Sequence, residues 1–500
     1  MRRALAVLTA AATISTAIII ATGPAQAAGP RSAIDWQPCP DAPGVECGTL
    51  TVPVDWSRPG GPTIDLALAR RKAAVPAERI GSIVVNPGGP GGAGAGLVKQ
   101  TQFLSDDVAR RFDIVGFDPR GVGQSSPILC DRAISEEQFP VEPQNQAEFE
   151  QMVDHNRRYG ESCRALSGPV FDFVDSVSVA RDIDAIRAAV GDSKLTYYGV
   201  SYGTLMGQMY AELFPDRVRA LVLDSNMDHS LPTAFHFMRT ETVGFEESYE
   251  EFAKWNERTP DSPLAGQDAR AVYRELLARA ERGELKLPDG TPVSALDFRF
   301  RTFGSFYGPS WRSLAQAYAL LQSTGTADAG PFGLRQETVA DPFQAVFCQD
   351  WRLPLRNYYE LAAYRAVLQR TVAPTVESSP LGELATTACQ GWPDRTTNPQ
   401  HVLRVRSKQP ILMVNSRFDP ATPYQWATNA ASQSRSFVLL HYDGWGHGAY
   451  FAGSSCVTGA VDTYLFTRRT PPRDTHCPAV PPPDSFGALG GVKVPTAPRW

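Results

Sequence analysis

The sequence predicts an α/β fold with a mostly parallel sheet, helices on both of its faces and an inserted helical cap domain. Three observations carry that expectation. Between Gly81 and Asp224, short apolar runs alternate with amphipathic segments in the order β, α, β, α, β, which requires crossover connections and parallel strands. Within this region Leu195-Thr196-Tyr197-Tyr198 passes through Gly199-Val200-Ser201-Tyr202-Gly203 straight into a helical run from Thr204 to Phe214, closed by Pro215. From Asp224 to about Pro399 the pattern then changes to aromatic, Arg- and Glu-rich helices, and strand character resumes only at Pro410. That gap is far longer than the loops that join elements of one sheet, so an insertion explains it. A chain of 500 residues, 43% of them hydrophobic, is long enough to bury such a core.

The strand–turn–helix around Ser201 organises the rest. A serine at so tight a turn is held in a strained backbone, and glycines two before and two after leave room where a Cβ would strike a neighbouring strand or helix. The hydroxyl is thereby raised clear of the fold, beside a helix N-terminus whose free amides favour developing negative charge. This pattern is the nucleophile elbow of an α/β-hydrolase. Taken as five letters the motif is weak, and a plain Gly/Ser turn would spell it too; the flanking strand and helix are what raise it.

Arg2 and Arg3, an apolar run from Ala4 to about Ile20, and the small-x-small pattern Ala25-Gln26-Ala27 read as a secretory signal cleaved after Ala27. An uncleaved anchor is the competing reading, but the run is interrupted by Thr and Ser and ends at Gly23-Pro24. The mature protein is expected to be secreted, with no membrane attachment. A net charge of -5 without a basic run gives no footprint for nucleic acid. The 8 cysteines, an even number, fit an oxidising compartment. Their spacing suggests Cys39 with Cys47 and Cys456 with Cys477, leaving Cys130 with Cys163 and Cys348 with Cys389. None has metal-ligand spacing, so no metal and no cofactor is expected.

The first strands, Gly48 to Val54 and Thr63 to Ala69, flank the turn Pro59-Gly60-Gly61-Pro62 and read as an antiparallel edge. The buried strand Gly81 to Asn86 runs directly into a Gly-rich loop from Pro87 to Gly96. Gly89, Gly91 and Gly94 formally satisfy a dinucleotide-binding pattern, with Asp118 as its acid. Pro90 removes a donor from any phosphate cradle, and a disulfide-bearing secreted protein does not normally meet NAD. In a hydrolase the same loop points an amide into the oxyanion hole, so Gly89 and Tyr202 are the candidate donors. The strand Phe112 to Phe117 leads to Asp118-Pro119-Arg120, where Arg120 either contacts substrate or braces the loop through a carboxylate; Asp118 is the expected partner. An amphipathic helix from Val177 to Val190 delivers the chain to the elbow strand, and Val218 to Asp224 is the strand after it.

In the inserted region Glu241, Glu246, Glu247, Glu250 and Glu251 form an acidic cluster. Most are expected on a solvated helix face, but one of them could hold a substrate ammonium group. The strand Pro410 to Ser416 is followed by Asp419, just before a helix starting near Pro423, where the orienting acid of a triad belongs. The strand Ser436 to Tyr442 precedes Gly444-Trp445-Gly446-His447-Gly448; His447 fits the general base, whereas His441 lies inside the strand and reads as structural. The chain order Ser201, Asp419, His447 is that of an α/β-hydrolase triad, with Ser201 as nucleophile.

Asn86-Pro87-Gly88-Gly89-Pro90-Gly91, Gly199 to Thr204, Asp419-Pro420-Ala421-Thr422-Pro423 and Gly446-His447-Gly448, taken together, resemble secreted bacterial tripeptidyl aminopeptidases. These belong to the proline iminopeptidase branch of serine peptidases and carry a TAP-like C-terminal region. The similarity spans about Trp36 to Cys477. It implies a serine exopeptidase acting on peptides with a free N-terminus and releasing short peptides, often tripeptides. One departure is Asn86-Pro87, where proline iminopeptidases carry a histidine, which argues against release of single prolines. A secreted carboxylesterase or amide hydrolase of the same fold is the alternative, and a binding protein that has kept the fold without the chemistry is a further one. The expected layout is a signal peptide over 1–27, the hydrolase core over 28–225, the cap over 226–400, the rest of the core with the TAP-like region over 401–470, and a Pro-rich tail over 471–500.

Overall fold

The computed structural model describes residues 34–326, 342–393 and 395–482. The expected signal peptide, and the tail beyond residue 482, lie outside the described residues. Among the described residues ten strands form one sheet: β1 (Gln37–Pro38), β2 (Glu46–Pro53), β3 (Thr63–Arg71), β4 (Gly81–Asn86), β5 (Phe112–Phe117), β6 (Leu195–Val200), β7 (Val218–Asp224), β8 (Ile411–Phe418), β9 (Phe437–Trp445) and β10 (His476–Cys477). Their spatial order is β1-β2-β3-β5-β4-β6-β7-β8-β9-β10. The first three strands make an antiparallel edge, and β3 pairs antiparallel with β5. From β5 onward every pairing is parallel. β4, β5 and β6 are buried at every position, as strands covered on both faces must be.

Helices α1 (Gly94–Gln100) and α2 (Asp106–Arg111) precede β5; α3 (Arg132–Ser135), α4 (Gln146–Ser167) and α5 (Ser176–Ala189) follow it, and α6 (Tyr202–Leu213) leaves the elbow. After β7 the described residues form seven helices with no strand among them before β8: α7 (Ala234–Arg258), α8 (Ala269–Glu281), α9 (Ala295–Gly304), α10 (Trp311–Thr324), α11 (Phe343–Asp350), α12 (Tyr358–Thr371) and α13 (Pro380–Thr387). The core closes with α14 (Tyr424–Ser432) and α15 (Ser455–Thr467). One apolar cluster joins a sheet face to α5, α6 and α14 through Ile183, Leu205 and Trp426; a second joins the opposite face to α1, α2 and α15 through Val98, Val108 and Val461. A third, built around Tyr249, Tyr273 and Phe306, belongs to the inserted helices. Disulfides link Cys39–Cys47, Cys130–Cys163, Cys348–Cys389 and Cys456–Cys477.

Arg120 corrects one expectation. Its partner is Asp182 on α5, held by two bonds of 2.6 and 2.7 Å, with both side chains fully buried. The guanidinium also donates to the carbonyls of Val54, Phe173 and Pro53. Asp118 instead accepts from the amides of Ala95 and Gln124, tying the Gly-rich loop to the turn after β5. Proximity in sequence favoured Asp118, but the fork of Arg120 points away from its own loop, across to α5.

Candidate active site

The parallel strands end in register, with Asn86 beside Gly199, Val200 beside Asp224, and Asp224 beside Val414. The loops that leave these ends therefore converge at the C-terminal edge of the sheet, where open α/β folds bind ligands. Ser201 stands there at φ 58° and ψ -126°, a left-handed conformation rare for a residue with a side chain. A Cβ on Gly199 would lie 2.6 Å from the Gly203 carbonyl, and one on Gly203 would lie 2.8 Å from the Asn86 carbonyl. These two glycines let the turn close.

Asp419, just past β8, is 1% exposed. It accepts from the amides of Ala421 and Thr422 and from the hydroxyls of Thr422 and Ser225. His447 Nδ1 donates to it, at 3.0 Å from one carboxylate oxygen and 3.1 Å from the other. An ionised carboxylate only accepts, so this contact places the proton on Nδ1 and leaves Nε2 as the basic nitrogen. The backbone amide of His447 donates to the Tyr307 carbonyl, and the Tyr307 ring packs 4.8 Å from the imidazole. The segment between α9 and α10 thus lies against the His447 loop. Neither the Ser201 hydroxyl nor His447 Nε2 has a hydrogen-bond partner among the described residues; such contacts commonly tighten only when substrate is bound.

The Gly-rich loop lies directly on the elbow. A Cβ on Gly88 would sit 2.4 Å from the Val200 carbonyl and 2.9 Å from the Tyr202 amide nitrogen. The loop is pinned by Gly88 N donating to Asn86 Oδ1 and Gly92 N donating to the Gly88 carbonyl. The amides of Gly89 and Tyr202 have no acceptor among the described residues. Tyr202 is anchored from its far end, where its hydroxyl donates to Asp350 on α11 at 2.7 Å. Asp350 also receives Ser176 and Asn398, so one buried carboxylate joins α5, α6 and the inserted helices. Nothing in the local sequence marks it, because its partners lie 48 to 174 residues away.

The acidic cluster departs from a simple solvated face. Glu247 pairs with Arg417, Glu250 with Arg270 and Glu251 with Lys254, all three half-buried, and Glu251 also accepts from the Trp445 indole. Glu246 is buried and accepts from the amides of Thr375 and Val376. Glu241 is 1% exposed, and its one hydrogen bond among the described residues is a long 3.4 Å contact from the Ser379 hydroxyl. Burial, and then the charge of Asp419, push its carboxyl well above the ordinary range. Three residues on, a Cβ at Gly244 would meet the Asp419 carbonyl at 2.9 Å, so this stretch of α7 lies against the Asp419 loop. Among the described residues one cluster has metal-ligand residue types, Cys39, Asp41 and Cys47, and its two sulfurs are already joined to each other.

Fold and site together define a serine hydrolase of α/β-hydrolase architecture. Residues 81–299 match the model of the alpha/beta hydrolase fold family, and residues 379–477 match that of TAP-like proteins. The chain is 32% identical to the serine protease Hip1 of Mycobacterium tuberculosis over 92% of its own length and 94% of that protein. It is 31% identical to the tripeptidyl aminopeptidase of Streptomyces lividans, covering 91% of this chain and 88% of the other. Carboxylesterase B of Mycobacterium tuberculosis is 32% identical, with 86% of each chain covered. The chain belongs to the α/β-hydrolase family that these relatives form, with its TAP-like C-terminal region.

Proposed function

We propose that this serine hydrolase is a secreted exopeptidase that releases short peptides, of tripeptide size, from substrates with a free N-terminus. The observation that carries the reading is Glu241. A buried carboxylate with one weak partner, on a cap helix that touches the acid loop, is suited to exchange its proton for a substrate ammonium group. The serine protease and tripeptidyl aminopeptidase relatives support the same class. Four disulfides, and the lack among the described residues of any helix long and apolar enough to cross a membrane, are consistent with export.

In this reading His447 Nε2 takes the Ser201 proton as the hydroxyl attacks the scissile carbonyl. Asp419 holds the imidazole in the tautomer that makes this possible. The Gly89 and Tyr202 amides receive the oxyanion, the peptide amine leaves with the proton from His447, and water then releases the acyl group. The carboxylesterase relative favours a second reading, ester hydrolysis by the same triad.

The discriminating measurement is kcat/KM on a tripeptide anilide with a free amine, on its N-acetylated twin and on a short aryl ester. Loss of most anilide cleavage on acetylation is expected. Good ester cleavage with neither anilide touched would replace the peptidase by the esterase.

A further inference from the structure

We propose that Ser225, backed by Asp224, is a positioning residue that locks the acid and base loops onto the nucleophile strand; this rests on the triad assigned above. β7 lies between the strand that ends at the nucleophile and the strand that ends at the acid. The residue that follows it can therefore touch both loops. Ser225 does so with a single oxygen: its hydroxyl donates to Asp419 Oδ2 at 2.7 Å and accepts from the Gly448 amide at 2.7 Å. Gly448 is the residue after the base.

Asp224 does the complementary work one residue earlier. Its carbonyl accepts the Ser201 amide at 3.0 Å. Its carboxylate accepts the amides of Ala449 and Tyr450 at 2.9 and 3.0 Å, and the Tyr198 hydroxyl at 2.9 Å. Two consecutive residues, both fully buried, thus bind the nucleophile's backbone, the acid's carboxylate and three successive amides after the base.

The backbone makes the hydroxyl's purpose legible. Ser225 sits at φ 61°, a conformation that glycine would adopt without strain. The turn is held from outside by Ser225 N on the Val414 carbonyl, Asn226 N on Asn415 Oδ1, and Asn226 Nδ2 on the carbonyls of Leu223 and Val414. A side chain at this position costs the fold backbone strain, and what it adds is the oxygen between acid and base. With that donor in place the carboxylate is fixed in rotation, and its edge stays toward His447 Nδ1.

The test uses Ser225→Gly and Ser225→Ala in the full-length mature enzyme, with Ser201→Ala alongside, on the best substrate of the panel above. Both Ser225 variants lose the hydroxyl, but Gly relaxes the turn and Ala keeps its strain. A positioning role lowers kcat about 10- to 100-fold in both, the range for losing a hydrogen bond to a charged group. KM stays within about twofold, while Tm is higher for Gly than for Ala. If kcat instead tracks Tm, with Ser225→Gly at the parental rate while Ser201→Ala is inactive, Ser225 is a structural residue only and the proposal falls. If Ser201→Ala keeps the parental rate, the triad reading fails and takes the proposal with it.

Discussion

At the C-terminal edge of the sheet, buried carboxylates are saturated with donors. Asp419 has two amides, two hydroxyls and an imidazole, and Asp224 has two amides and a phenol. On α7, Glu241 is just as buried and has one long contact among the described residues. Saturated groups hold geometry, because any rotation breaks several bonds at once. An unsaturated one has hydrogen-bonding capacity to spare, and burial favours its neutral form. Within the inserted helices Glu241 is the exception, since Glu246 and Asp350 are also buried and are supplied with donors; the contrast is therefore between Glu241 and the satisfied carboxylates around it.

Three experiments would break or sharpen this contrast. The largest effect belongs to Ser201→Ala, for which kcat should fall by about 10⁴-fold or more with the fold intact by circular dichroism. Residual hydrolysis near the parental rate would move the chemistry away from the elbow. Next comes Asp182→Ala, which leaves Arg120 buried without its charge partner. It should cost about 3–5 kcal/mol in denaturant unfolding, far more than loss of an exposed pair such as Arg157 with Glu161. The smallest is Glu241→Gln, expected to lower kcat/KM on the free-amine anilide by about 100-fold, the scale of a charge-assisted bond. The aryl ester should hardly notice.

Glu241→Gln also carries a pH signature. Burial and the nearby Asp419 push the folded carboxyl above the ordinary glutamate value of about 4.5. Between the unfolded and folded values the native state therefore keeps a proton that the unfolded chain releases. The stability this contributes is full below about 4.5 and is lost as pH rises toward the folded value. The variant cannot titrate there, so its Tm relative to the parent should rise as pH is raised above that point. A Tm difference that does not change with pH would show that Glu241 is ionised in the folded state.

Much of the sheet was legible because its signals are local. Alternating strand and helix periods, and a Gly-x-Ser-x-Gly turn between β6 and α6, are written in short consecutive stretches. Their spacing is set by strand, turn and helix geometry alone. Element boundaries differ slightly from the expected ones: α6 begins at Tyr202, because the residue after the serine already starts the helix, and strand β9 runs on to Trp445. Asp182, Asp350 and Ser225 carried no such signal. Each is an ordinary residue for its element, and its partners lie tens to hundreds of residues away.

By itself the sequence determined the hydrolase fold and the strand–turn–helix around Ser201, and it pointed to the loops that carry Asp419 and His447, since each rests on backbone conformations that nearby glycines, prolines and apolar periods dictate. Only the tertiary structure decided that Arg120 answers Asp182, that Glu241 is buried against the Asp419 loop while Glu247, Glu250 and Glu251 are half-buried and paired with cations, and that Ser225 stands between Asp419 and the His447 loop. The physical reason is that burial and hydrogen-bond satisfaction belong to the packed assembly of β7, β8 and the cap, and no single segment contains them.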